Sequence, residues 1–594
     1  MCGIVGCILK EKDREVAPIL FDCVKNLEYR GYDSVGIATY DKDKIHVKKD
    51  KGKIDEVNEK LDLPNMPGSF GIAHVRWPST GIPSKINAHP QLDEDNTVAV
   101  VHNGTLKNYN DLKKELESEG VKFKSTTDTE VIPHLIRKYL NEGNDLEHSF
   151  RKTIDRLNGS YAIAAISKDE PNKIVATRCQ SPLKIGIAED AYFLASDTPA
   201  ILGYTKNIIH PAKGEIIIID ENGVTVHDEY DNEVKKEIET INWSPKMARK
   251  EGHPYFMIKE ILEQDEAVRN TLTQLDNIKE VVDEIGEVKN ICFVACGTSY
   301  HASITGKYLI EYLAGIKTDV VLASEFKYVE RALDEDTLVI FISQSGETLD
   351  SLIALERAKK HSPTLAIVNV AGSAMTDEAK YTILTQAGPE IGVAATKTYI
   401  AQLTAIYMFA ALLAKNEDLL KELEKVPDYI NEILEKRDEI EVLSKRYNFA
   451  DDLFYLGRGF SYPIALEGAL KLKEISLIHA EGYASGELKH GPLALINHRV
   501  PVIVIIPSGD DYDETMNNLK EVKSRKAVIS SIGSEGNSEL ECVSHDVIFI
   551  NSEVSDLIAP LVYTVPLQLI AYYITLDKGY DPDKPNNLAK VITV

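Results

Sequence analysis

An α+β layered domain followed by two α/β units, each built on a parallel sheet, is the fold class this sequence predicts, and three observations predict it. Over residues 1–231, short β-rich runs such as SFGIAHVRW, NTVAVVHNG, SYAIAAIS and GEIIIIDENG alternate with amphipathic helices such as NYNDLKKELESEG. Residues 232–252, NEVKKEIETINWSPKMARKEG, are charged, broken by Ser-Pro and without a sustained apolar period, which predicts a linker. Beyond it, a buried apolar strand running into a Gly-Ser turn and a helix occurs twice. ICFVACGTSYHASITGKYL, TLVIFISQSGETLDSLIALERA and TLAIVNVAGS form the first copy, and DLFYLGRGFSYPIALEGALKLKE with VPVIVIIPSGD the second. The expected subdomains are 253–435 and 436–580, with 581–594 as a C-terminal tail.

Composition narrows the function classes. The 594 residues suit roughly three or four folded units, and 43% hydrophobic with 27% charged residues is globular composition. A formal charge of -26 repels phosphate backbones and anionic lipid, so neither nucleic acid nor a membrane is an expected partner. A small anionic substrate needs only a local cradle of amides and hydroxyls. Cys2, Cys7, Cys23, Cys179, Cys292, Cys296 and Cys542 are an odd, sparse set, which reads as a reducing cytoplasmic setting. Cys292 and Cys296 lack companions at ligand spacing, so no metal site is expected. MCGIVGCILKEKDRE turns charged too early for a signal sequence, and the longest apolar run, Leu403 to Ala414, is too short to span a bilayer.

Cys2 directly follows the initiator methionine, and its side chain is small enough for Met1 to be removed. That leaves an α-amino group, titrating near about pH 8, beside a thiol, so one residue can supply nucleophile and base. Position alone does not separate this from an incidental cysteine. CGIVG, EYRGYDSVG, HVRW, NAHP, HNG and STTDTE then follow in order between Cys2 and Glu130. Together they resemble the glutaminase domains of the amidotransferases with an N-terminal nucleophile. The resemblance implies a four-layer αββα sandwich, with the Asn103 side chain and the Gly104 backbone N–H as oxyanion donors. It also implies Arg76 and Asp128 as the charged partners of glutamine, Arg30 beside the nucleophile, Trp77 capping the site and His89 in support. Residue chemistry fits these tasks, since an oxyanion needs fixed donors and a carboxylate suits an arginine fork. Other readings stand beside them: Asn-Gly as a hairpin turn, Asp128 as a helix N-cap with Glu130 in the first turn, His89 as a core histidine. The family carries Thr-His-Gly after its arginine-tryptophan pair, whereas this chain has Pro78-Ser79-Thr80-Gly81, with Val75 in place of the threonine before Arg76. Ser79 still offers a hydroxyl.

Cys296-Gly-Thr-Ser299 and Ser343-Gln-Ser-Gly-Glu-Thr348 each follow an apolar strand and open a helix. Such turns offer backbone N–H groups, hydroxyls and a helix dipole to a phosphate, although Ser and Thr also serve as ordinary N-caps. Two of them at the carboxyl end of one parallel sheet point to a crevice. The spacing resembles the sugar-isomerase (SIS) fold, which implies that Thr298, Ser299, Ser343, Gln344, Ser345 and Thr348 line a sugar-phosphate site. In the second copy, EGALKLKEISLIHAEGYASGELKHGPLAL sets Lys471 and Glu474 three apart on a helix, with His490 in a later loop. By composition these helix charges read as a solvated face. The stretch, however, resembles the glutamine:fructose-6-phosphate aminotransferase family. That likeness implies Glu474 as proton shuttle between sugar C1 and C2, His490 as ring opener and Lys471 as a supporting charge. It further implies Lys590, in NLAKVITV, as the Schiff-base lysine, with Ala589 and Val393 contacting the sugar through their backbones. The family tail reads Ser-Val-Thr-Val-Glu where this chain has Val591-Ile-Thr-Val594.

The resemblance covers essentially the whole chain. It implies an amidotransferase/isomerase that converts glutamine and fructose 6-phosphate into glutamate and glucosamine 6-phosphate, with ammonia passing internally. No cofactor is expected, and a homodimer through the SIS domains is. Amination of another phosphosugar, or a phosphosugar-sensing SIS regulator, are the alternatives. The retained Cys2, Glu474, His490 and Lys590 speak against sensing.

Overall fold

Gly3–Leu9 is buried at every position, the burial of a strand covered on both faces. In the computed structural model, which describes residues 2–77, 80–241 and 243–590, it lies inside an eight-stranded antiparallel sheet. The order is Glu239–Thr240, Asn207–Ile209, Lys184–Ile187, Ala191–Ala195, Gly3–Leu9, Phe70–Arg76, Ser34–Asp41, Lys44–Lys51. A six-stranded antiparallel sheet faces it, in the order Val224–His227, Ile216–Asp220, Lys173–Cys179, Gly159–Ser167, Val98–Leu106, Gln91–Leu92. Ile4, Ile8, Phe70 and Ile72 of the first sheet meet Ala99, Val101, Ala162 and Ala164 of the second in one core. The helix Ala17–Lys25 covers the outer face of the first sheet, and Val131–Asn141 and Leu146–Ile154 cover the second. Four layers result, the expected αββα sandwich. Glu239–Thr240, inside the stretch expected as linker, adds an edge strand by pairing with Asn207 and Ile208.

The chain separates into two compact units, residues 1–249 with 589–594, and residues 250–588. The second unit contains two parallel five-stranded sheets. One runs Lys317–Leu322, Asn290–Ala295, Thr337–Ser343, Thr364–Val368, Tyr381–Leu384, and the other His479–Ala484, Asp452–Gly457, Val502–Ile506, Ile529–Ser534, Asp546–Ile550. In each, the earliest strand is flanked by the second and third, which creates a topological switch point at their carboxyl ends. The helices Lys397–Leu413 and Thr564–Asp577 are apolar around most of their circumference, as helices enclosed by protein must be. One continuous core joins them to strands of both sheets, from Phe293 and Ile340 to Ile503 and Ile532. The stretch Ala559–Asp577 is long and apolar enough to cross a membrane, but 89% of it is buried inside this core. Residues 581–588, expected as the start of a tail, fold with the second unit. Asp583 accepts from the backbone N–H groups of Phe256 and Met257 and so caps the helix Phe256–Leu262.

Candidate active sites

In the first unit, the strand Gly3–Leu9 pairs with Phe70–Arg76, Gly3 opposite Val75, and this register brings Cys2 beside Trp77. The Trp77 N–H donates to Cys2 Sγ at 3.4 Å, and the thiol lies 3.3 Å from Trp77 O. Trp77 meets Tyr32 edge-on at 5.1 Å. Arg30 Nε and Asn103 Nδ2 both donate to Cys2 O, each at 3.1 Å. Arg30 is only 3% exposed and pairs with Asp197 at 3.1 Å, so its position is fixed from both ends.

Asn103-Gly104 is not a hairpin turn: both residues sit inside the nine-residue strand Val98–Leu106, with Asn103 opposite Ala162 and Gly104 opposite Tyr161. Gly104 has φ +116°, and a Cβ there would lie 2.0 Å from Ser160 O, so this kink in the strand demands glycine. Asn103 Nδ2 is shared between Cys2 O and Ser196 Oγ, the latter at 2.8 Å. A substrate oxyanion therefore has to compete for that donor.

Arg76 is 4% exposed and donates to Thr80 O. Burial lowers its pKa, while Cys2, Asp128 and Asp33 pull the other way and favour the cation. Its Nη1 is buried with no hydrogen-bond partner among the described residues, a donor suited to a substrate carboxylate. Asp128 does not cap its own helix. Its Oδ2 accepts from Leu106 N at 2.9 Å, two residues beyond Gly104, while Glu130 turns back to accept from Lys124 N and Ser125 N. His89 is a core histidine in contact with the site's framework, bonded to Thr129 Oγ1 at 2.8 Å and stacked on His74. Pro78 and Ser79 lie outside the described residues.

In the second unit, Thr298 and Ser299 open the helix Gly297–Ala314 after Asn290–Ala295, and Ser343–Thr348 follows the adjacent strand Thr337–Ser343. The two turns thus flank the switch point, where open α/β sheets bind ligands. Ser343 Oγ accepts from Gly346 N at 3.0 Å and meets Thr348 Oγ1 at 3.3 Å, and Ser345 Oγ accepts from Glu347 N at 3.1 Å. Gln344 O accepts from Asn369 N at 3.2 Å, which ties this turn to the next strand. Gly346 has φ +67°, and a Cβ there would meet Ser373 Oγ at 2.1 Å. Val393 is half-buried just after Ile391 and Gly392, whose N–H groups donate to Glu260 Oε1. In the second copy, Arg458 in the turn after Asp452–Gly457 pairs with Asp511 at 3.1 Å.

Lys471 and Glu474 are not on a solvated face. The helix Ser461–Ser476 buries Lys471 completely, with Glu474 at 2.7 Å and Glu467 at 3.4 Å. Lys471 Nζ also donates to Thr298 Oγ1 at 3.0 Å, and Thr298 in turn donates to Glu467 Oε1 at 3.0 Å. His301 Nδ1 lies 2.7 Å from Glu467 Oε2. Burial alone would discharge both groups. The Glu467 and Glu474 charges hold the Lys471 pKa above its ordinary value, while Lys471, His301 and Thr298 hold Glu467 below its own.

One expected residue is not gathered into this cluster. His490 is exposed in the short turn Ser485–His490, and among the described residues no hydrogen bond or ion pair joins it to Lys471 or Glu474. Ala589 and Lys590 group with the first unit. Conversely, Glu467, His301, Ser196 and His74 were not singled out by the sequence. Glu467 carried a usable signal, the i, i+4, i+7 alignment with Lys471 and Glu474 on one helical face. His74 opens the HVRW run, but nothing local marks it as a partner of Asn103, and Ser196 follows the strand Ala191–Ala195 with no local signal. Among the described residues, Glu147, His227 and Asp231 stand at metal-ligand spacing, but Arg151 already spans the two carboxylates at 3.1 and 2.7 Å.

Comparison with known proteins gives concordant results. Residues 284–412 and 448–577 match the SIS domain family, and residues 78–203 match the glutamine amidotransferase domain family. The chain is 56% identical to the glutamine–fructose-6-phosphate aminotransferase (isomerizing) of Methanothermobacter thermautotrophicus, with 100% of both chains covered. It is 45% identical to the protein of the same name from Aquifex aeolicus, again with 100% of both covered. Among solved structures, the C-terminal domain of glucosamine-fructose-6-phosphate aminotransferase from Francisella tularensis aligns with a TM-score of 0.54 and 39% identity. It covers 57% of this chain and 100% of that one. Tagatose-6-phosphate ketose/aldose isomerase from Escherichia coli aligns at a TM-score of 0.51 and 20% identity over 57% of this chain and 96% of its own, a likeness of fold.

Proposed function

The chain belongs to the glutamine–fructose-6-phosphate aminotransferase (isomerizing) family, and from that membership and the two clusters above we propose how it works. The protein is a glutamine-dependent aminotransferase that converts fructose 6-phosphate and glutamine into glucosamine 6-phosphate and glutamate. Once Met1 is removed, the Cys2 α-amino group takes the thiol proton and the sulfur attacks the glutamine side-chain amide. Asn103 and Gly104 stabilise the oxyanion, while Arg76 and Asp128 hold the substrate's carboxylate and ammonium. The C–N bond breaks, ammonia leaves, and water releases glutamate from the thioester. Lys590 condenses with the C2 carbonyl of the open-chain sugar with loss of water, ammonia displaces the lysine amine to leave an imine at C2, and Glu474 moves a proton from C1 to C2 to yield the aldose.

Ser299, Ser343, Gln344, Ser345 and Thr348 hold the phosphate in this scheme, His490 opens the ring, and Lys590 holds the ketose as a Schiff base. A working homodimer through the SIS domains, in the cytoplasm, completes the proposal. The observation that carries it is the juxtaposition at Cys2, a thiol at the second position of the chain with an amide donor, Asn103, 3.1 Å from the same residue's carbonyl.

Glutamine labelled with 15N in its amide, supplied with fructose 6-phosphate and no added ammonium, tests both sites and their coupling. Glutamate and glucosamine 6-phosphate in equal amounts, with 15N retained in the sugar, is the expected result. Glutamate without amino sugar, or turnover only with a different phosphosugar, would overturn the assignment of the second site.

A further inference from the structure

The Asn103 amide is gripped at both ends. Its Oδ1 lies 3.1 Å from His74 Nε2, and its Nδ2 donates to Cys2 O at 3.1 Å and to Ser196 Oγ at 2.8 Å. His74 Nε2 also faces His102 O at 3.1 Å. Both neighbours of this nitrogen are acceptors, which assigns the imidazole proton to Nε2. The ring is wholly buried and stacks on His89 with centroids 4.3 Å apart. Burial, reinforced by the Arg76 charge, lowers its pKa to about 3, so the donor is a neutral imidazole at any working pH.

An asparagine amide can occupy its site in two orientations that exchange oxygen and nitrogen. The reversed one would set Oδ1 against Cys2 O and the NH2 group against His74 N–H, acceptor on acceptor and donor on donor. Deleting the N–H of His74 removes the contact that rejects it at the far end.

We propose that His74 is a positioning residue for glutamine hydrolysis: its Nε2–H pins the Asn103 amide oxygen and thereby keeps the amide nitrogen turned toward the Cys2 side, where the oxyanion develops. The assignment rests on the glutaminase reading of the first unit. It separates two properties of Cys2 chemistry. Attack on an amide builds an oxyanion and needs the oriented donor. Displacement on iodoacetamide occurs at a saturated carbon and needs only the thiolate.

His74→Phe keeps a ring of similar size against His89 and removes the N–H, whereas His74→Gln restores an N–H near the position of Nε2. In the full chain, His74→Phe is expected to lower kcat for glutamine hydrolysis about 30-fold, with KM within about threefold and the rate of Cys2 alkylation by iodoacetamide within about twofold. His74→Gln is expected to recover kcat to within about fivefold of the parent. Unchanged hydrolysis in His74→Phe, loss of alkylation in parallel with hydrolysis, or absence of rescue by His74→Gln would each overturn the proposal. If the Phe side chain prevents folding, His74→Leu carries the same three readouts. Failure of the underlying glutaminase reading looks different: the unsubstituted protein would then hydrolyse no glutamine.

Discussion

The Cys2 thiol is set by its neighbours, with Trp77 at the sulfur and Arg30 and Asn103 at the carbonyl of the same residue. Cys2→Ala removes the nucleophile but none of the groups of the second unit. It is expected to lower glutamine-dependent synthesis by about 1,000-fold or more while leaving synthesis from added ammonium within about threefold, read by product assays with each nitrogen source. A second consequence concerns pH. Burial opposes ionisation of Glu130, but the His134 ring 3.6 Å away and hydrogen bonds from the Ser125 and Lys124 backbone N–H groups prevail and bring its pKa from 4.5 to about 2. A carboxylate with a depressed folded-state pKa contributes stability that is present above its unfolded pKa and is lost as pH falls through the folded one. Glu130→Gln is therefore expected to cost on the order of 2 kcal/mol at pH 6. That cost should shrink between pH 4.5 and about 2, as followed by urea midpoints of both proteins across this window. At this scale motifs with local chemistry single out Cys2, Asn103, Arg76 and Asp128, and the fold brings these four residues close to one another. The sequence was silent at Ser196, because a serine in the strand-end run LASD becomes a partner of Asn103 only when Ile4 N binds the same hydroxyl from a neighbouring strand.

Turns at strand ends shape the candidate site of the second unit as the strand Val98–Leu106 shapes that of the first. The segment Ser343–Thr348 keeps its shape because Ser343 Oγ accepts from Gly346 N and Ser345 Oγ from Glu347 N, directly before the helix Leu349–Ala358. Gly346, at φ +67° and with Ser373 Oγ 2.1 Å from its absent Cβ, is the position this shape cannot yield. Gly346→Ala is expected to raise KM for fructose 6-phosphate about tenfold or more and to cost about 1–3 kcal/mol of stability, measured by initial-rate kinetics and denaturant unfolding. Glutamine hydrolysis should stay within about twofold, since nothing in the first unit changes. Both cradle turns were readable as strand, Gly-Ser turn and helix. The helix Ser461–Ser476 was readable as a helix but not as a buried one. Its charges follow the spacing of a solvated face, and only the approach of the helix Gly297–Ala314, with Thr298 and His301, turns Glu467, Lys471 and Glu474 into a closed network.

At the scale of the molecule, the question is how many parts residues 250–588 contain. The sequence repeat predicts two subdomains with a boundary near residue 435, and the two parallel sheets with the same strand order agree with a repeated plan. Packing speaks differently. Phe293, Ile340 and Ile367 of one sheet and Leu453, Ile503 and Ile532 of the other belong to a single buried cluster, joined through Tyr399, Ile406 and Phe409 of Lys397–Leu413 and Leu567 and Ile570 of Thr564–Asp577. The Lys471 network adds a second tie, because its charges come from one copy and Thr298 and His301 from the other. Neither copy can open without stripping the central helices and leaving buried charge without its partners, a loss on the order of several kcal/mol. The two copies are therefore expected to unfold as one cooperative unit. Native-state hydrogen exchange at low denaturant measures this directly: the strands Thr337–Ser343 and Val502–Ile506 should open with free energies within about 1 kcal/mol of each other and with the same denaturant dependence. Separate opening of the Val502–Ile506 sheet at lower denaturant would mean that the shared core is not the limiting interaction, and the sequence boundary near residue 435 would then be a physical one.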